Sequence, residues 1–548
     1  MGSTGSSRGF KMAEEVFAQI IDGLIHGLVV GPTNTGKSKL IEGMIRYLLL
    51  RGDEPCIALL DPGGATAKSM ENLITYLGLE ERTLLLDPEE SRHYLSYNPL
   101  HRIPELPLSL QAKQVAEAIL TALELDQKDS VFFMPVLEQV LYHLAYLLIE
   151  GGWTFQEASL LLSTEPLAEA FPIIERSREP SVRRFWLGLQ ELKPRERQQL
   201  LGLAQARLLS FTTSELISRM TSQRERALDF KEAIEEGKVL IFNTEAYSNL
   251  TPLDSKILSN LLITSIVQAC FSREPYTGKD VYIFIEECGE GLIGTEIGKM
   301  LRRARKQGLR VILANQDISS LKEENPIVFH QIWANTSHKI VFRDLPNTDL
   351  EIIAEEFFLD QLDPHSIKDQ IMRTFYEPIE SSRTITSYSY GSSSFGAEGG
   401  GAASGSGELF IEEGLILPLR QTMSQHESEM SSHHSSEGWG NSEQWSETEV
   451  PFYEFKERRE LSSRTFYALE ELLHLAKQKL KGLRPREICL KKRGEPAQIL
   501  EVPYIEETPE IPEYKERARE RIFKGSGHYA TIEEIQRERE QRQKELSC

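Results

Sequence analysis

The chain has 548 residues, 40% hydrophobic and 26% charged, with a formal net charge of −21. That length exceeds what one hydrophobic core usually holds, so several domains are expected of a globular protein. The acidity excludes coating of nucleic acid by the whole surface, though not a basic channel inside a ring.

No uncharged apolar run reaches the ~18 residues of a membrane span, and no integral membrane segment is expected. Val136–Ile149 comes nearest, but Glu138 and His143 interrupt it and it reads as a buried helix. Met1–Phe10 is polar and lacks the apolar run of a secretory signal. The five cysteines (Cys56, Cys270, Cys288, Cys489 and Cys548) form no C-x-x-C pair, which argues against a zinc site or a disulfide framework. A cytoplasmic location follows as the expectation.

Leu28–Val30 reads as a short strand, followed by an amphipathic helix over Ser38–Leu50. Ile57–Asp61 and Thr83–Asp87 are further strands, each ending in an Asp-Pro step that stops the strand and leaves an acid at its carboxyl end. From about residue 107 to 236 the periodicity is helical, clearest in Ser130–Glu150, Thr154–Ser163 and Arg195–Arg219. Strands resume at Lys238–Asn243, Val281–Ile285, Arg310–Ala314 and Lys339–Phe342, with helices expected over Ser255–Ser272 and Gly298–Gly308. Strands alternating with helices predict an α/β fold with a mainly parallel sheet. Glu380–Glu449 is rich in Ser, Gly and Glu and reads as a flexible linker, with Leu409–Leu419 able to form a short element inside it. His433-His434 in that run reads as polar filler rather than a metal site. Structure is expected again over Pro451–Ile505, and a capping box at Thr531–Glu534 opens a charged terminal helix.

Gly31-Pro32-Thr33-Asn34-Thr35-Gly36-Lys37-Ser38 matches G-x-x-x-x-G-K-[ST] in full, after an apolar strand and before a helix. In such a loop the glycines let backbone N–H groups reach phosphates, and the helix N-terminus adds favourable charge. Lys37 is expected on the β- and γ-phosphates and Ser38 on Mg²⁺. The strand Val281–Ile285 runs into Glu286-Glu287, where one acid can hold Mg²⁺ and the next polarise water. Strands ending in acids are common, so that pair gains meaning only beside a complete phosphate loop. Leu301–Gln316 joins a basic helix to an apolar strand ending in Asn315-Gln316. Its cations Arg302, Arg303, Arg305 and Lys306 suit DNA, a neighbour's nucleotide, or simply a solvated helix face.

These pieces, in this order, resemble the HerA–FtsK superfamily ATPases, specifically the TraG/TraD-type coupling proteins of type IV secretion and conjugation. Leu59–Gly64 is similar to the family's DPHGD strand end, and Tyr97–Leu100 to its FNPL. Ala304–Gly308 with Ala314–Gln316 is similar to ARKyG…anQ, and Ser462–Tyr467 with Leu480–Arg486 to the family's C-terminal return. Two residues depart from the pattern: Glu286 stands where Asp is usual, and Asp61-Pro62-Gly63-Gly64 lacks the histidine. Many relatives begin with membrane helices, and this chain is expected to have none.

The resemblance implies a RecA-like P-loop NTPase domain with an inserted all-α domain. It gives Glu286 the metal-side acid and Glu287 the catalytic position. Arg305 becomes the arginine acting on a neighbour's nucleotide, and Gln316 the sensor. The implied cofactors are ATP and Mg²⁺, and the implied partners DNA, further copies in a homo-hexamer, and possible relaxase and type IV secretion components at the inner face of the membrane. Alternatives are a soluble repair or packaging motor, and an ATP-binding scaffold without turnover. The expected divisions are a disordered 1–15, the ATPase domain in 16–106 and 237–379, and the helical insertion 107–236. After the linker 380–449, residues 450–508 pack back on the ATPase domain and 509–548 form a charged helical tail.

Overall fold

The computed structural model describes residues 14–122, 127–163, 170–246, 249–289, 301–363, 365–393 and 440–547. The extreme N-terminus, Leu409–Leu419, His433-His434 and the first residues of the helix expected over Gly298–Gly308 lie outside them. The chain divides into two compact units, Met1–Leu362 with Leu469–Cys548, and Asp363–Ala468.

The strands in chain order are β1 (His26–Val30), β2 (Cys56–Asp61), β3 (Thr83–Leu86), β4 (Tyr94–Leu95), β5 (Val239–Asn243), β6 (Val281–Ile285), β7 (Leu309–Asn315), β8 (His338–Val341), β9 (Ile367–Ser393), β10 (Gly440–Phe466), β11 (Glu487–Lys492), β12 (Gln498–Glu501) and β13 (Tyr529–Ala530). In the first unit nine of them form one sheet in the order β12-β11-β8-β1-β7-β6-β2-β5-β3. Every pairing from β8 to β3 is parallel, whereas β11 is antiparallel to both β8 and β12. The parallel strands are continuous apolar runs because helices cover both faces of such a sheet, and β1, β2, β5 and β6 are buried throughout. The α/β class with a mainly parallel sheet is thus the one expected from sequence.

Between β4 and β5 the chain is helical, from Leu108–Ala122 to Phe230–Glu236. The helix expected as Ser130–Glu150 spans Gln127–Gly151. The single helix expected over Arg195–Arg219 is instead three: Pro194–Arg207, Ser210–Thr213 and Glu215–Thr221. The break falls in a Ser/Thr cluster, where Thr212 and Thr213 hydroxyls both donate to the Leu209 carbonyl at 2.9 Å. Such local bonds compete with the helical ladder.

The charged tail packs as a strap. In the helix Pro512–Gly525, Arg519 donates to Glu71 (2.5 and 2.9 Å) and Asp87 (2.6 Å). β13 pairs with β4. The Tyr529 hydroxyl accepts from the Leu85 N–H (2.7 Å) and donates to its carbonyl (2.8 Å), closing the edge strand β3. The last helix, Ile532–Ser547, opens with Glu534 accepting from the Thr531 N–H at 2.9 Å. Its fully buried Arg542 pairs with Glu157 at 3.0 Å, and Arg539 donates to the Ser218 carbonyl at 2.7 Å. The strap therefore joins the inserted helices to the sheet edge.

The second unit corrects the linker reading. β9 and β10 form an antiparallel hairpin that occupies both ends of the Glu380–Glu449 stretch. Composition weighted the serines, whereas Thr384-Ile385-Thr386 and Tyr388-Ser389-Tyr390 carry β-branched and aromatic residues that favour extended backbone. The expected C-terminal return also divides: residues up to Phe466 belong to the hairpin, and the sheet regains chain from Leu469 onward.

His26 on β1 ties three elements together. Its Nδ1 accepts the Val311 N–H of β7 at 3.1 Å, so Nε2 carries the proton and donates to the Leu301 carbonyl at 2.9 Å. Burial, with Arg310 and Arg493 adding to it, pushes its pKa from 6.5 down to about 4. A ring that binds its proton less well folded than unfolded costs nothing above pH 6.5. It costs stability as pH falls toward 4, by about 3 kcal/mol in all. Denaturant titrations across pH 7 to 4 are therefore expected to lose stability, and His26→Asn to flatten the slope by about one proton; an unchanged slope would refute the buried neutral ring. Tyr529→Phe leaves the Leu85 amide and carbonyl unpaired, and urea unfolding should report a loss of about 2 kcal/mol.

Candidate active site

The site lies at the carboxyl ends of β1, β6 and β7. The Gly31 N–H donates to the Asn315 carbonyl at 3.2 Å, continuing the sheet before the chain turns away. A Cβ at Gly31 would stand 2.7 Å from Phe342 Cβ and 2.8 Å from Thr35 Oγ1, so only glycine fits. Asn34 and Gly36 take left-handed backbone, with φ of 63° and 108°, and the helix Lys37–Leu50 starts there. Thr35 fastens the turn by donating its hydroxyl to the Pro32 carbonyl at 2.7 Å. Lys37 Nζ folds over the loop, donating to the carbonyls of Gly31 and of Pro32 (3.2 Å). Burial lowers its pKa, and Glu286 and Glu287 act against that.

Glu286 is the junction of the site. It follows β6, its N–H bonds the Leu60 carbonyl at 3.0 Å, and it is buried. Ser38 Oγ donates to one carboxylate oxygen at 3.0 Å and Thr66 Oγ1 to the other at 2.6 Å. Burial, reinforced by the neighbouring Asp61, raises its pKa to about 7; the two hydroxyls and Lys37 pull the other way. The longer reach of Glu over Asp matters here, because one side chain spans two helices.

Thr66 is placed by the Asp61-Pro62-Gly63-Gly64 turn. Buried Asp61 accepts from the Gly63 N–H at 3.0 Å and the Ala67 N–H at 2.8 Å, fixing the start of the helix Ala65–Leu77. Burial raises the Asp61 pKa against those backbone donors. Gly64 has φ 75°, and a Cβ there would meet Glu245 at 2.4 Å. The Asp61-Pro62-Gly63-Gly64 turn thus sets the start of the helix on which the Thr66 hydroxyl reaches Glu286.

Glu287 is exposed beside Glu286 and holds a left-handed φ of 49°, a conformation that costs a non-glycine residue about 1 kcal/mol. Gln316 follows β7, and its Oε1 accepts from Thr33 Oγ1 at 3.5 Å. Arg305 is different. It is exposed in the turn Arg305–Gln307 before β7, at the amino end of the strand whose carboxyl end faces the loop. A seven-residue strand separates the ends by about 20 Å. The structure therefore brings together the loop, Glu286, Glu287 and Gln316, and leaves Arg305 apart from them.

Thr66 and Phe342 escaped sequence reasoning. Phe342 backs the loop through its N–H to the Val30 carbonyl (2.9 Å) and its ring against Gly31 and Gly36. Neither carries a motif, and only the strand order brings them near. Ser38 and Glu286 offer hard oxygen donors at one point, which fits Mg²⁺. Among the described residues no group of three or more His, Cys, Asp or Glu could hold a metal. Mg²⁺ does not need one, because it takes one or two protein oxygens with phosphate and water completing the shell. Also among the described residues, no helix is long and apolar enough to cross a membrane.

No family model matches the chain, and no curated protein does. Solved structures do. The chain is similar to the bacterial conjugative coupling protein TrwB lacking its first 70 residues, in its unbound monoclinic form, at 15% identity with a TM-score of 0.47 over 89% of this chain and 87% of that one. TrwB in complex with ADP and Mg²⁺ matches at 18% identity and a TM-score of 0.40, over 61% of this chain and 74% of that one. VirB4 of Thermoanaerobacter pseudethanolicus matches at 14% identity and 0.38, over 62% and 81%.

Thr66→Val keeps the shape of the side chain and removes one donor from Glu286. Loss of such an orienting bond typically costs 10–100-fold in metal affinity or activity. The Mg²⁺ concentration for half-maximal nucleotide turnover should rise by about tenfold or more; an unaltered Mg²⁺ dependence would show that Thr66 does not position this acid.

Proposed function

We propose that this chain is a Mg²⁺-dependent ATPase that moves DNA, working as a ring of like subunits in the cytoplasm. The carrying observation is the complete phosphate loop at the end of β1, with Ser38 against Glu286 and Gln316 against Thr33. Lys37 rests on two loop carbonyls, and phosphate oxygens are better partners for its charge. Ser38 and Glu286 are the residues that would hold Mg²⁺, which neutralises developing charge on the transferred phosphoryl group. We assign the orienting of water to Glu287, which is exposed beside Glu286, and the sensing of the triphosphate end to Gln316, which bonds Thr33 of the loop.

Arg305 supports the ring. It lies at the opposite end of β7 from its own loop, so it can serve a nucleotide only on a neighbouring subunit. Such an arginine contributes roughly 10³–10⁵ in rate where it operates. Arg302, Arg303, Arg305 and Lys306 are all exposed, which supplies local positive charge on an acidic protein. The sequence resemblance to conjugative coupling proteins favours DNA as the polymer. It also favours a type IV secretion machine at the inner membrane face as the destination, with relaxase among the partners.

The test is ATP hydrolysis with and without DNA. Wild type should turn over and be stimulated by DNA, with binding that weakens as salt rises. Lys37→Ala should abolish turnover and Glu287→Gln should retain bound ATP. Arg305→Ala should be inactive alone yet regain activity when mixed with Glu287→Gln. Intact ATP binding with no turnover in either condition would sink the motor reading in favour of a scaffold.

A further inference from the structure

The β9–β10 ribbon runs for 27 residues on each strand, about 90 Å of extended chain. It is a two-stranded sheet, and among the described residues no third strand joins either edge. Each outer edge therefore presents a row of backbone N–H and C=O groups to solvent. Every side chain from Ile371 to Glu380 is exposed or half-exposed, and so is every one from Pro451 to Phe466. Two strands alone are marginal in water, and stability ordinarily needs a third strand or a covered face. A ribbon this long is an element that lacks its partner.

Residues opposite each other in an antiparallel pair point to the same side, so the pairing sorts the side chains onto two faces. One face carries Met372 with Leu461 and Pro378 with Phe455. Met372 is 50% and Phe455 66% exposed, and apolar groups gathered in water on one face mark an interaction surface. The other face carries Arg373 with Glu460 and Glu377 with Lys456. Side chains stand above and below a sheet, and they meet a neighbouring strand on either edge alike. A second copy of β10, laid antiparallel on the open edge of β9 in the same register, therefore repeats these pairs. Arg373 again meets Glu460 and Glu377 again meets Lys456, and no like charges come opposite each other between residues 373 and 380. Slid by two residues in one direction, Arg373 would meet Arg458 and Glu377 would meet Glu454. Pro378 and Pro451 each remove one N–H donor, a single gap in a ladder of this length.

We propose that the ribbon joins copies of this chain, β10 of one copy adding as a strand to the open edge of β9 on the next. This rests on the ring of like subunits put forward above, and it gives that ring a physical joint. The contact is head-to-tail: each copy offers a β10 edge to one neighbour and a β9 edge to the other. Such contacts generate rings when the rotation closes. Closure leaves no open edge, and it brings the Met372 and Phe455 face of every copy to the same side of one sheet.

The experiment uses the full chain with Cys548→Ser, the other four cysteines being buried. One preparation carries Phe375→Cys and another Arg458→Cys, positions that lie opposite each other in the register. Mixed, incubated with MgATP and oxidised with diamide, the two should give a two-chain band on a non-reducing gel, about tenfold stronger than either preparation alone. Adding Arg373→Glu to the first preparation should weaken that band by about fivefold, and adding Glu460→Arg to the second should restore it. Each of these changes disturbs its own hairpin equally, so the rescue reads the contact between copies. Assemblies larger than one chain in sedimentation, with no such band, overturn the ribbon joint and leave the ring standing, with another partner on the ribbon. A band as strong in either preparation alone means that like edges meet, and overturns the head-to-tail pairing. A band indifferent to Arg373→Glu overturns the register. Sedimentation as single chains throughout overturns the ring reading, and the joint with it.

Discussion

A single buried carboxylate organises the site. Glu286 takes one hydroxyl from the helix that follows the phosphate loop and another from the helix that follows the Asp61 turn. An ionised carboxylate in an apolar surround is costly unless its oxygens are bonded. The position of two helices relative to β6 is therefore fixed by the need to satisfy one group. Asp61 lies close enough to raise the Glu286 pKa further, and its own oxygens are taken up by backbone N–H groups. Both carboxyls are held above their ordinary pKa by burial, and Lys37, bonded to the loop carbonyls, acts to lower that of Glu286.

What was legible in the sequence was local. The phosphate loop is contiguous, and each of its glycines answers a constraint within a few residues or directly beneath it, as at Gly31. The parallel strands were legible because burial on both faces leaves an unbroken apolar run. Thr66, Phe342 and His26 were not, since each acts through a partner brought near only by the order of strands in the sheet. Thr66 and Glu286 are 220 positions apart, and His26 and Val311 are 285 apart. The hairpin of β9 and β10 was hidden for another reason. Serine content predicts flexibility, whereas β-branched and aromatic residues at intervals favour the extended chain that pairs as β9 and β10. The division of Arg195–Arg219 into three helices was a conflict between two local signals. Helical periodicity predicts one helix, and side-chain bonds to the Leu209 carbonyl accompany the break in the structure.

The tail is legible in the sequence as a charged helix, and its partners are not. Many of its cations are partnered: Arg542 with Glu157 and Glu538, and Arg519 with Glu71 and Asp87. Buried pairs of this kind contribute modestly to net stability, but removing one partner leaves an isolated charge and costs several kcal/mol, roughly 3–5. They act as specifiers of position. A glutamate from the inserted helices and one from the helix that carries Thr66 are both held by the same strap.

The arrangement of strands sets the order in which the molecule can be assembled. β1, which carries the phosphate loop, leaves the ribosome well before its neighbours β7 and β8, which come about 280 residues later. β11 and β12, and the strap that closes β3, come later still. Loops that long are slow to close. During synthesis the apolar strands β1 and β2 therefore wait unpaired on their β7 and β6 edges, and an exposed strand edge invites association with other chains. The inserted helices, whose contacts are mostly near in sequence, can form in that interval. Final closure of the sheet waits for the strands β11 and β12 and the strap, which makes the yield of folded protein sensitive to chaperone supply and to temperature during expression.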